Sequence, residues 1–275
     1  MIRTSAAPSP SPLSPPDFPP GPALAATAER LRAAGCVFAE DEALLLVAAA
    51  GTPELLDSLV ERRSAGLPLE HLLGWAEFAG LRITVGPGVF VPRRRTEFLA
   101  ARAAALLRPG GTAVDLCCGS GAVGAALLAA VDGAEVHAAD IDPVAVDCAR
   151  RNLDGAGGVH LGDLFDALPG RLRGRIDVVA ANAPYVPTGA IGTLPPEARD
   201  HEPLATLDGG ADGLDVQRRV AAAAPDWLRP GGALLIETST PQALMTCDIV
   251  ARAGLLPQTV EDGELDATAV IGILP

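Results

Sequence analysis

From Thr112 onward, short apolar runs alternate with stretches of helical periodicity, and this alternation limits the possible folds more than any other feature of the chain. The apolar runs typical of strands span residues 113–116, 135–139, 176–181 and 233–237. Helical stretches span residues 122–131, 144–152, 216–228 and 242–253. Such alternation predicts an α/β domain with a mainly parallel sheet. Two final extended runs, 257–260 and 267–274, are separated only by a turn-rich segment and predict a terminal antiparallel pair.

The residues before this region predict three further segments. The first 22 residues contain eight prolines and four serines, a composition that favours a disordered tail. Leu24, Ala28 and Leu31 recur at helical spacing and Thr52 is a typical helix cap, so residues 23–74 are predicted to form a small helical domain. Residues 75–92 read as a β-hairpin linker that turns at Ala79-Gly80, which leaves residues 93–275 for the α/β domain.

Charge and composition exclude several classes of protein. The 21 basic residues are all arginines, and 34 carboxylates outnumber them to give a net charge of -13, which disfavours nucleic acid as a partner. No apolar run approaches the length of about 18 residues that a membrane span requires. The five cysteines lack zinc-ligand spacing and mostly lie in apolar runs, so we expect reduced thiols, no metal and a cytoplasmic location.

A glycine-rich loop, Cys117-Cys118-Gly119-Ser120-Gly121, follows the first predicted strand of the α/β domain and opens a helix. Taken alone, this pattern fits a nucleotide site and a tight turn about equally well. Asp140 ends the next strand 19 residues after Gly121, where a carboxylate can hold both ribose hydroxyls. The two features together favour a ribose-bearing cofactor, and they leave open whether it is a dinucleotide or S-adenosylmethionine.

Asp163 and Leu164 follow a further predicted strand, which lies between the runs 135–139 and 176–181. At such a position an acid can meet the adenine amine, and an apolar side chain can lie against the ring. The alternative interpretation is that Asp163 only caps a helix.

The segment Asn182-Ala183-Pro184-Tyr185 decides between the cofactors. It directly follows the buried strand 176–181 and contains the one tyrosine of the chain. The Asn182 side-chain carbonyl and the Ala183 backbone carbonyl can orient a planar amide or amine nitrogen, on which Tyr185 can stack, and can stabilise the positive charge that develops there. This chemistry indicates methyl transfer from S-adenosylmethionine, whereas the simpler alternative is an ordinary Asn-Pro turn.

With these residues the chain resembles the protein-(glutamine-N5) methyltransferases, the HemK-like family that includes the release factor glutamine methyltransferases. The likeness rests on Pro68-Leu69-Glu70-His71-Leu72-Leu73-Gly74, Glu77-Phe78-Ala79-Gly80-Leu81, Val91-Pro92-Arg93, Thr96-Glu97, the glycine loop, Asn182 to Tyr185, and the segments beginning at Glu202-Pro203 and Leu207-Asp208. The resemblance implies a seven-stranded Rossmann-like class I methyltransferase sheet and a helical substrate-docking domain. It also implies a glutamine acceptor in a protein such as a release factor, with Arg93 and Thr96 on the substrate side.

Three positions depart from the family pattern. Ala183 replaces the first proline of Asn-Pro-Pro-Tyr, which keeps the carbonyl but loosens the turn. Arg94 and Arg95 replace Pro-Glu before Thr96, so a basic pair stands where the family has an acid, and the choice of acceptor can differ. Cys117 replaces a glycine and is small enough to fit provided that its backbone angles stay in the ordinary range.

Two other functions remain open from the residues. A nucleic-acid adenine-N6 methyltransferase would use the same acceptor chemistry, although the net charge counts against it. A cofactor-binding protein without turnover would also fit the altered acceptor turn. We interpret His201 as part of the packing of its loop, and residues 209–215 as a mobile cover over the acceptor site.

Overall fold

The computed structural model describes residues 20–154 and 157–275, and the chain divides into two compact units that meet between Leu73 and Gly74. Most of the predicted proline-rich tail lies outside the described residues. The first helix begins at Pro20, three residues earlier than predicted, because the first turn of a helix tolerates proline. Within the described part of the chain, no helix is long and apolar enough to cross a membrane.

The first unit is helical, as predicted. Its helices are α1 (Pro20–Ala33), α2 (Ala39–Ala49), α3 (Pro53–Ser64) and α4 (Leu69–Leu73). The predicted cap is confirmed, because the Thr52 hydroxyl accepts a hydrogen bond from the Leu55 amide at 3.3 Å and Pro53 occupies the first turn of α3. Leu31, Leu46 and Val60 are fully buried where α1, α2 and α3 meet.

The second unit starts with a two-stranded hairpin and continues as an α/β domain. The antiparallel strands β1 (Trp75–Phe78) and β2 (Leu81–Thr84) turn at Ala79 and Gly80, which both have positive φ as a two-residue hairpin turn requires. The other strands are β3 (Thr112–Leu116), β4 (Glu135–Asp140), β5 (Gly158–Leu161), β6 (Ile176–Ala181), β7 (Leu228–Thr238), β8 (Leu256–Asp262) and β9 (Ala267–Ile273). The helices are α5 (Thr96–Leu106), α6 (Ala122–Ala130), α7 (Pro143–Asn152), α8 (Pro196–His201), α9 (Asp215–Trp227) and α10 (Ala243–Arg252).

These seven strands form one sheet in the order β5-β4-β3-β6-β7-β9-β8. The first five strands in this order, β5, β4, β3, β6 and β7, are parallel. Strand β9 runs antiparallel to both β7 and β8, which confirms the predicted terminal pair. The chain winds outward from β3 in one direction and from β6 in the other. This topology leaves a crevice at the carboxyl ends of β3 and β6, the usual place for a ligand in such sheets.

Apolar side chains pack on both faces of the sheet. One buried cluster joins α5, α6 and α7 with the hairpin, and the other contains α9 and α10. The sequence analysis did not predict α5, whose Leu99 and Ala103 are buried in the first cluster. Its segment is rich in alanine and lies before the alternating pattern, so its periodicity is weak although its propensity is high.

Candidate active site

A cleft of about 440 Å³ opens at the carboxyl ends of the parallel strands. Of the predicted site residues only Gly121 does not line it; those that do are Arg93, Thr96, Cys117, Cys118, Gly119, Ser120, Asp140, Asp163, Leu164, Asn182, Ala183, Pro184 and Tyr185. The segments that carry them follow β3, β4, β5 and β6 or precede α5. Because adjacent parallel strands end at the same edge, the fold brings these segments together.

The glycine loop reverses direction through left-handed backbone. Cys117, Gly119 and Gly121 have φ values of 55°, 53° and 76°. Gly121 lies behind the cleft at the start of α6, where an added β-carbon would stand 2.9 Å from the Leu153 side chain. The condition of ordinary backbone angles is therefore not met at Cys117, and the residue bears the steric strain that a glycine avoids.

Buried ionisable groups lie beneath this loop. Burial raises the pKa of the Cys117 and Cys118 thiols, which keeps them protonated and unreactive at neutral pH. Asp115, in β3, accepts a hydrogen bond from the Gly124 amide at 2.9 Å. Desolvation, reinforced by the charge of Asp140, raises the pKa of Asp115 from 3.8 to about 8.

The Asp115→Asn variant is expected to gain stability relative to the wild type as pH rises from about 4 to about 8. Across this range the folded wild type keeps a proton that the unfolded chain releases, so its stability falls by up to about 1.4 kcal/mol per pH unit. Asparagine does not titrate, and its carbonyl can still accept from Gly124. Urea unfolding of both proteins across this pH range measures the difference in their free energies of unfolding. A difference that is independent of pH would contradict the raised pKa of Asp115.

Asp140 ends β4 and faces the loop. Its carboxylate accepts from the Gly119 amide at 2.8 Å and from the Asp142 amide at 2.9 Å. Burial raises its pKa despite these bonds. The next residue, Ile141, lines the same cleft and is 64% exposed, so an acceptor-rich carboxylate lies beside an apolar surface.

Asp163 is not a helix cap. It precedes a short 3-10 helix, Leu164–Ala167, but its side chain makes no cap hydrogen bond there. Instead it accepts from the Arg219 guanidinium of α9 at 2.6 Å. Leu164 lines the same cleft, so an ion pair lies there beside an apolar side chain, and the role of both residues at the adenine stays a prediction.

The acceptor segment 182–185 continues β6, a strand whose residues are all buried. Asn182 donates from its side-chain Nδ2 to the Thr96 hydroxyl at 3.2 Å. The Tyr185 hydroxyl donates to Glu237 Oε1 at 3.2 Å, and burial raises the pKa of this tyrosine. Ala183 is buried between them.

The segment 207–213 is bonded to the residues that follow Asn182. Val186 donates to the Leu207 carbonyl at 3.0 Å, and Gly209 donates back to the Val186 carbonyl at 2.9 Å. Gln242 donates both to the Tyr185 carbonyl and to the Asp212 carbonyl, at 2.9 and 3.0 Å. These bonds link the predicted cover to the acceptor segment, and the mobility of this cover stays a prediction.

Arg93, which is predicted to lie on the substrate side, forms an ion pair within the protein. Arg93 lines the cleft, but its guanidinium binds both carboxylate oxygens of buried Glu202 at 2.6 Å. Glu202 also accepts from the Val91 amide at 3.2 Å, so the pair joins the segment before α5 to the end of α8. Arg95 keeps 46% of its side chain exposed and also lines the cleft.

The sequence analysis missed several residues that shape this site. Glu237 and Gln242 hold the acceptor segment, Arg219 pairs with Asp163, and Ile141 lines the cofactor side. Asn152, at the end of α7, donates to the Thr84 and Ser120 carbonyls at 2.8 Å and so ties the hairpin to the glycine loop. A sequence signal existed for Glu237 alone, which is an acid at the end of a predicted buried strand. Among residues 20–154 and 157–275, no group of three or more His, Cys, Asp or Glu side chains is placed to hold a metal ion.

Comparison with known proteins gives consistent relatives. Residues 80–193 match the model of the family described as "Methyltransferase small domain". A release factor glutamine methyltransferase from Geobacter sulfurreducens is 37% identical over 199 residues, which cover 71% of this chain and 69% of that protein. A 4-amino-L-phenylalanine/4-methylamino-L-phenylalanine methyltransferase from Streptomyces pristinaespiralis is 40% identical over 191 residues, or 66% of this chain and 65% of that protein.

Solved structures share the fold. A methyltransferase from Pyrococcus furiosus superposes with a TM-score of 0.53 at 17% sequence identity, and the match covers 71% of this chain and 89% of that one. At this identity the likeness concerns the fold, and it agrees with the seven-stranded sheet described above.

Proposed function

Since this chain belongs to the release factor glutamine methyltransferase family, we propose that it transfers the methyl group of S-adenosylmethionine to the side-chain amide nitrogen of a glutamine in a peptide chain release factor. The proposal rests on one observation above all. Leu116 and Ala181 are register partners on adjacent parallel strands, so the glycine loop that starts at Cys117 and the acceptor segment that starts at Asn182 emerge side by side.

The residues of the cofactor half fit S-adenosylmethionine. Gly119 lines the cleft with a positive φ and no side chain, so the backbone of the loop can approach a ligand closely. In the proposal the loop 117–121 holds the methionine end, Asp140 holds the ribose hydroxyls, and Asp163 and Leu164 hold the adenine. Asp140 suits this role because a carboxylate has more acceptor positions than its two backbone bonds use. When bound, the cofactor supplies a methyl group on a positively charged sulfur, which is an excellent leaving centre.

The residues of the acceptor half hold the nucleophile. The Asn182 side-chain oxygen and the Ala183 carbonyl accept hydrogen bonds from the amide N–H groups and align the nitrogen with the methyl carbon. The nitrogen held in this way would take the methyl group that the bound cofactor supplies, and it would release one proton to solvent. The two oxygens stabilise the positive charge that grows on the nitrogen, Pro184 stiffens the turn, and Tyr185 stacks on the flat amide.

Labelled S-adenosylmethionine, purified protein and a release factor with its glutamine in a Gly-Gly-Gln loop provide the direct test. We expect one label per release factor, located on that glutamine, and none on a release factor in which the glutamine is replaced by alanine. Label on the alanine variant, or no label on either protein, would contradict the proposed acceptor.

A second acceptor class is a free aromatic amine that carries a carboxylate. A relative named for such an acceptor is 40% identical, and Arg95 lines the cleft where the family has an acid. An arginine in this position could pair with the carboxylate of the small molecule. Addition of 4-amino-phenylalanine and of an adenine-containing oligonucleotide to the same assay separates these acceptors, and a net charge of -13 disfavours the oligonucleotide.

Replacement of Asp140 by alanine is expected to weaken S-adenosylmethionine binding by about 1–3 kcal/mol, because charge-assisted hydrogen bonds to the ribose are lost. Isothermal titration measures this change. Asp147→Ala is the matched control, since Asp147 is exposed on α7 and forms an ion pair with Arg150 one turn along the same helix. Equal affinities for the wild type and the Asp140 variant would remove the ribose assignment.

The proposal extends to the helical unit and to the cellular compartment. The helical unit, residues 20–73 of the described chain, is proposed to dock the protein substrate, as the family resemblance implies. The proposed compartment is the cytoplasm, in keeping with cysteines that form no disulfide in the described part of the chain.

A further inference from the structure

Three polar side chains, of which Thr96 and Glu237 are buried, lie in a row beside the acceptor segment. Thr96, the first residue of α5, lies between Asn182 at the end of β6 and Glu237 near the end of β7. Thr96 and Glu237 are both almost fully buried, at 3% exposure each. Asn182 and Tyr185 line the cleft, whereas Glu237 lies outside it and reaches it only through its neighbours.

The Glu237 carboxylate interacts with Tyr185, Arg95 and Thr96. Tyr185 donates to its Oε1 at 3.2 Å, and the Arg95 guanidinium lies 3.9 Å from the same oxygen. The Thr96 hydroxyl lies close enough to lower the pKa of the carboxyl by hydrogen bonding, against the larger effect of burial, which raises it. Among the described residues, Oε2 is buried and accepts no hydrogen bond, so the carboxylate has the capacity to accept the Thr96 hydrogen.

Once the Thr96 hydrogen is assigned to the unsatisfied Glu237 oxygen, a count of donors and acceptors fixes the direction of the other bond. A carboxylate only accepts, and a hydroxyl has a single hydrogen together with two lone pairs. If the Thr96 hydrogen goes to Glu237, the Thr96 oxygen can only accept from Asn182. The Asn182 amide must then present its NH₂ group to Thr96, which is the orientation found at 3.2 Å.

We propose that Glu237 and Thr96 act as positioning residues that fix the orientation of the Asn182 amide, so that its oxygen and not its nitrogen faces the methyl acceptor. This inference rests on the proposed function, because an amide or amine N–H needs an oxygen opposite it. A flipped Asn182 would place its oxygen against the Thr96 lone pairs and its NH₂ group against the N–H groups of the acceptor. Two bonds would be lost and the nitrogen would be misaligned.

Thr96→Val is the first test, because it replaces the hydroxyl by a methyl group of similar size. We expect kcat for release-factor methylation to fall about 10- to 100-fold, with changes of less than about threefold in KM and in cofactor Kd. Thr96→Ser keeps the hydroxyl and is expected to stay within about threefold of the wild-type kcat. Thermal unfolding checks that both variants fold. Wild-type kcat in the valine variant, or equal losses in both folded variants, would overturn the proposal.

A double-mutant cycle tests the direction of the bonds. Asn182→Asp offers Thr96 only an acceptor, so it conflicts with a hydroxyl that already donates to Glu237. Glu237→Gln supplies an NH₂ group that can donate to Thr96, which frees the Thr96 hydrogen for the aspartate. We expect the double variant to be at least about 10-fold more active than the product of the two single effects predicts. If the activity of the double variant equalled the product of the two single effects, the proposal would be overturned.

The same experiments separate this inference from the proposed function. Failure of the wild type to methylate a release factor would contradict the proposed acceptor. The inference concerns the ratios between variants, which are measured on whichever amide or amine the wild type methylates.

Discussion

Replacement of Asn182 by alanine is expected to lower kcat about 100-fold or more, the loss typical of one preorganised contact to a transition state. The side-chain oxygen that would hold the acceptor nitrogen is removed, while the glycine loop and Asp140 are untouched. Cofactor Kd is therefore expected to change by less than about threefold. Single-turnover kinetics and titration with S-adenosylmethionine measure the two quantities on the same preparation.

The chain contains one other asparagine, and it provides a contrasting variant. Asn152 joins the Thr84 and Ser120 carbonyls, far along the chain from the acceptor segment. Asn152→Ala is expected to lower the free energy of unfolding and the cofactor affinity more than the kcat of the saturated enzyme. If Asn182→Ala gave the same pattern as Asn152→Ala, Asn182 would be a structural residue and its role in acceptor alignment would be wrong.

Replacement of Gly213 by alanine is expected to lower the free energy of unfolding by about 2–4 kcal/mol and kcat by more than about 10-fold. Gly213 has a φ of 79°, and an added β-carbon would stand 2.2 Å from the Tyr185 carbonyl oxygen and 2.5 Å from Gln242 Nε2. The backbone of the acceptor segment must shift to admit it. Gln242 would then lose its bond to the Tyr185 carbonyl, and the tyrosine ring would move with it.

Gly189→Ala is the matched control for this substitution. Its β-carbon would meet nothing within 4 Å, and its φ lies outside the left-handed range. We expect a change in unfolding free energy within about 0.5 kcal/mol and an unchanged kcat. Urea unfolding and steady-state kinetics measure both variants. A Gly213→Ala protein as stable and active as Gly189→Ala would show that the acceptor segment tolerates displacement.

Much of the α/β unit could be predicted because burial on both faces leaves a pattern along the chain. The predicted strand 176–181 matches β6 residue for residue, and the acceptor segment follows it directly. The terminal pair was predicted since a connection of only a few residues forces two strands to run antiparallel. Helix α5 was missed, because its alanine-rich surface carries little periodicity even where it is buried.

Some residues of the cleft could also be predicted from the sequence, whereas others could not. Asp140, Asn182 and Tyr185 could be predicted to line the cleft, because each stands at a fixed distance from a strand or from the glycine loop, and local position is visible in the chain. The left-handed backbone of Cys117 could not, since it depends on how the loop closes against its surroundings.

Local sequence patterns therefore predict most of the elements, their order along the chain, and the cleft-lining residues that end or follow β3, β4, β5 and β6. They do not show which side chains meet behind the cleft. Thr96, Asn182 and Glu237 lie on three different elements, and their contact arises only when α5 packs against β6 and β7. Hydrogen bonds between distant residues leave no periodic signal, because they depend on distances and directions in space. Packing alone gives Asn182 its neighbours and Asp163 its arginine partner.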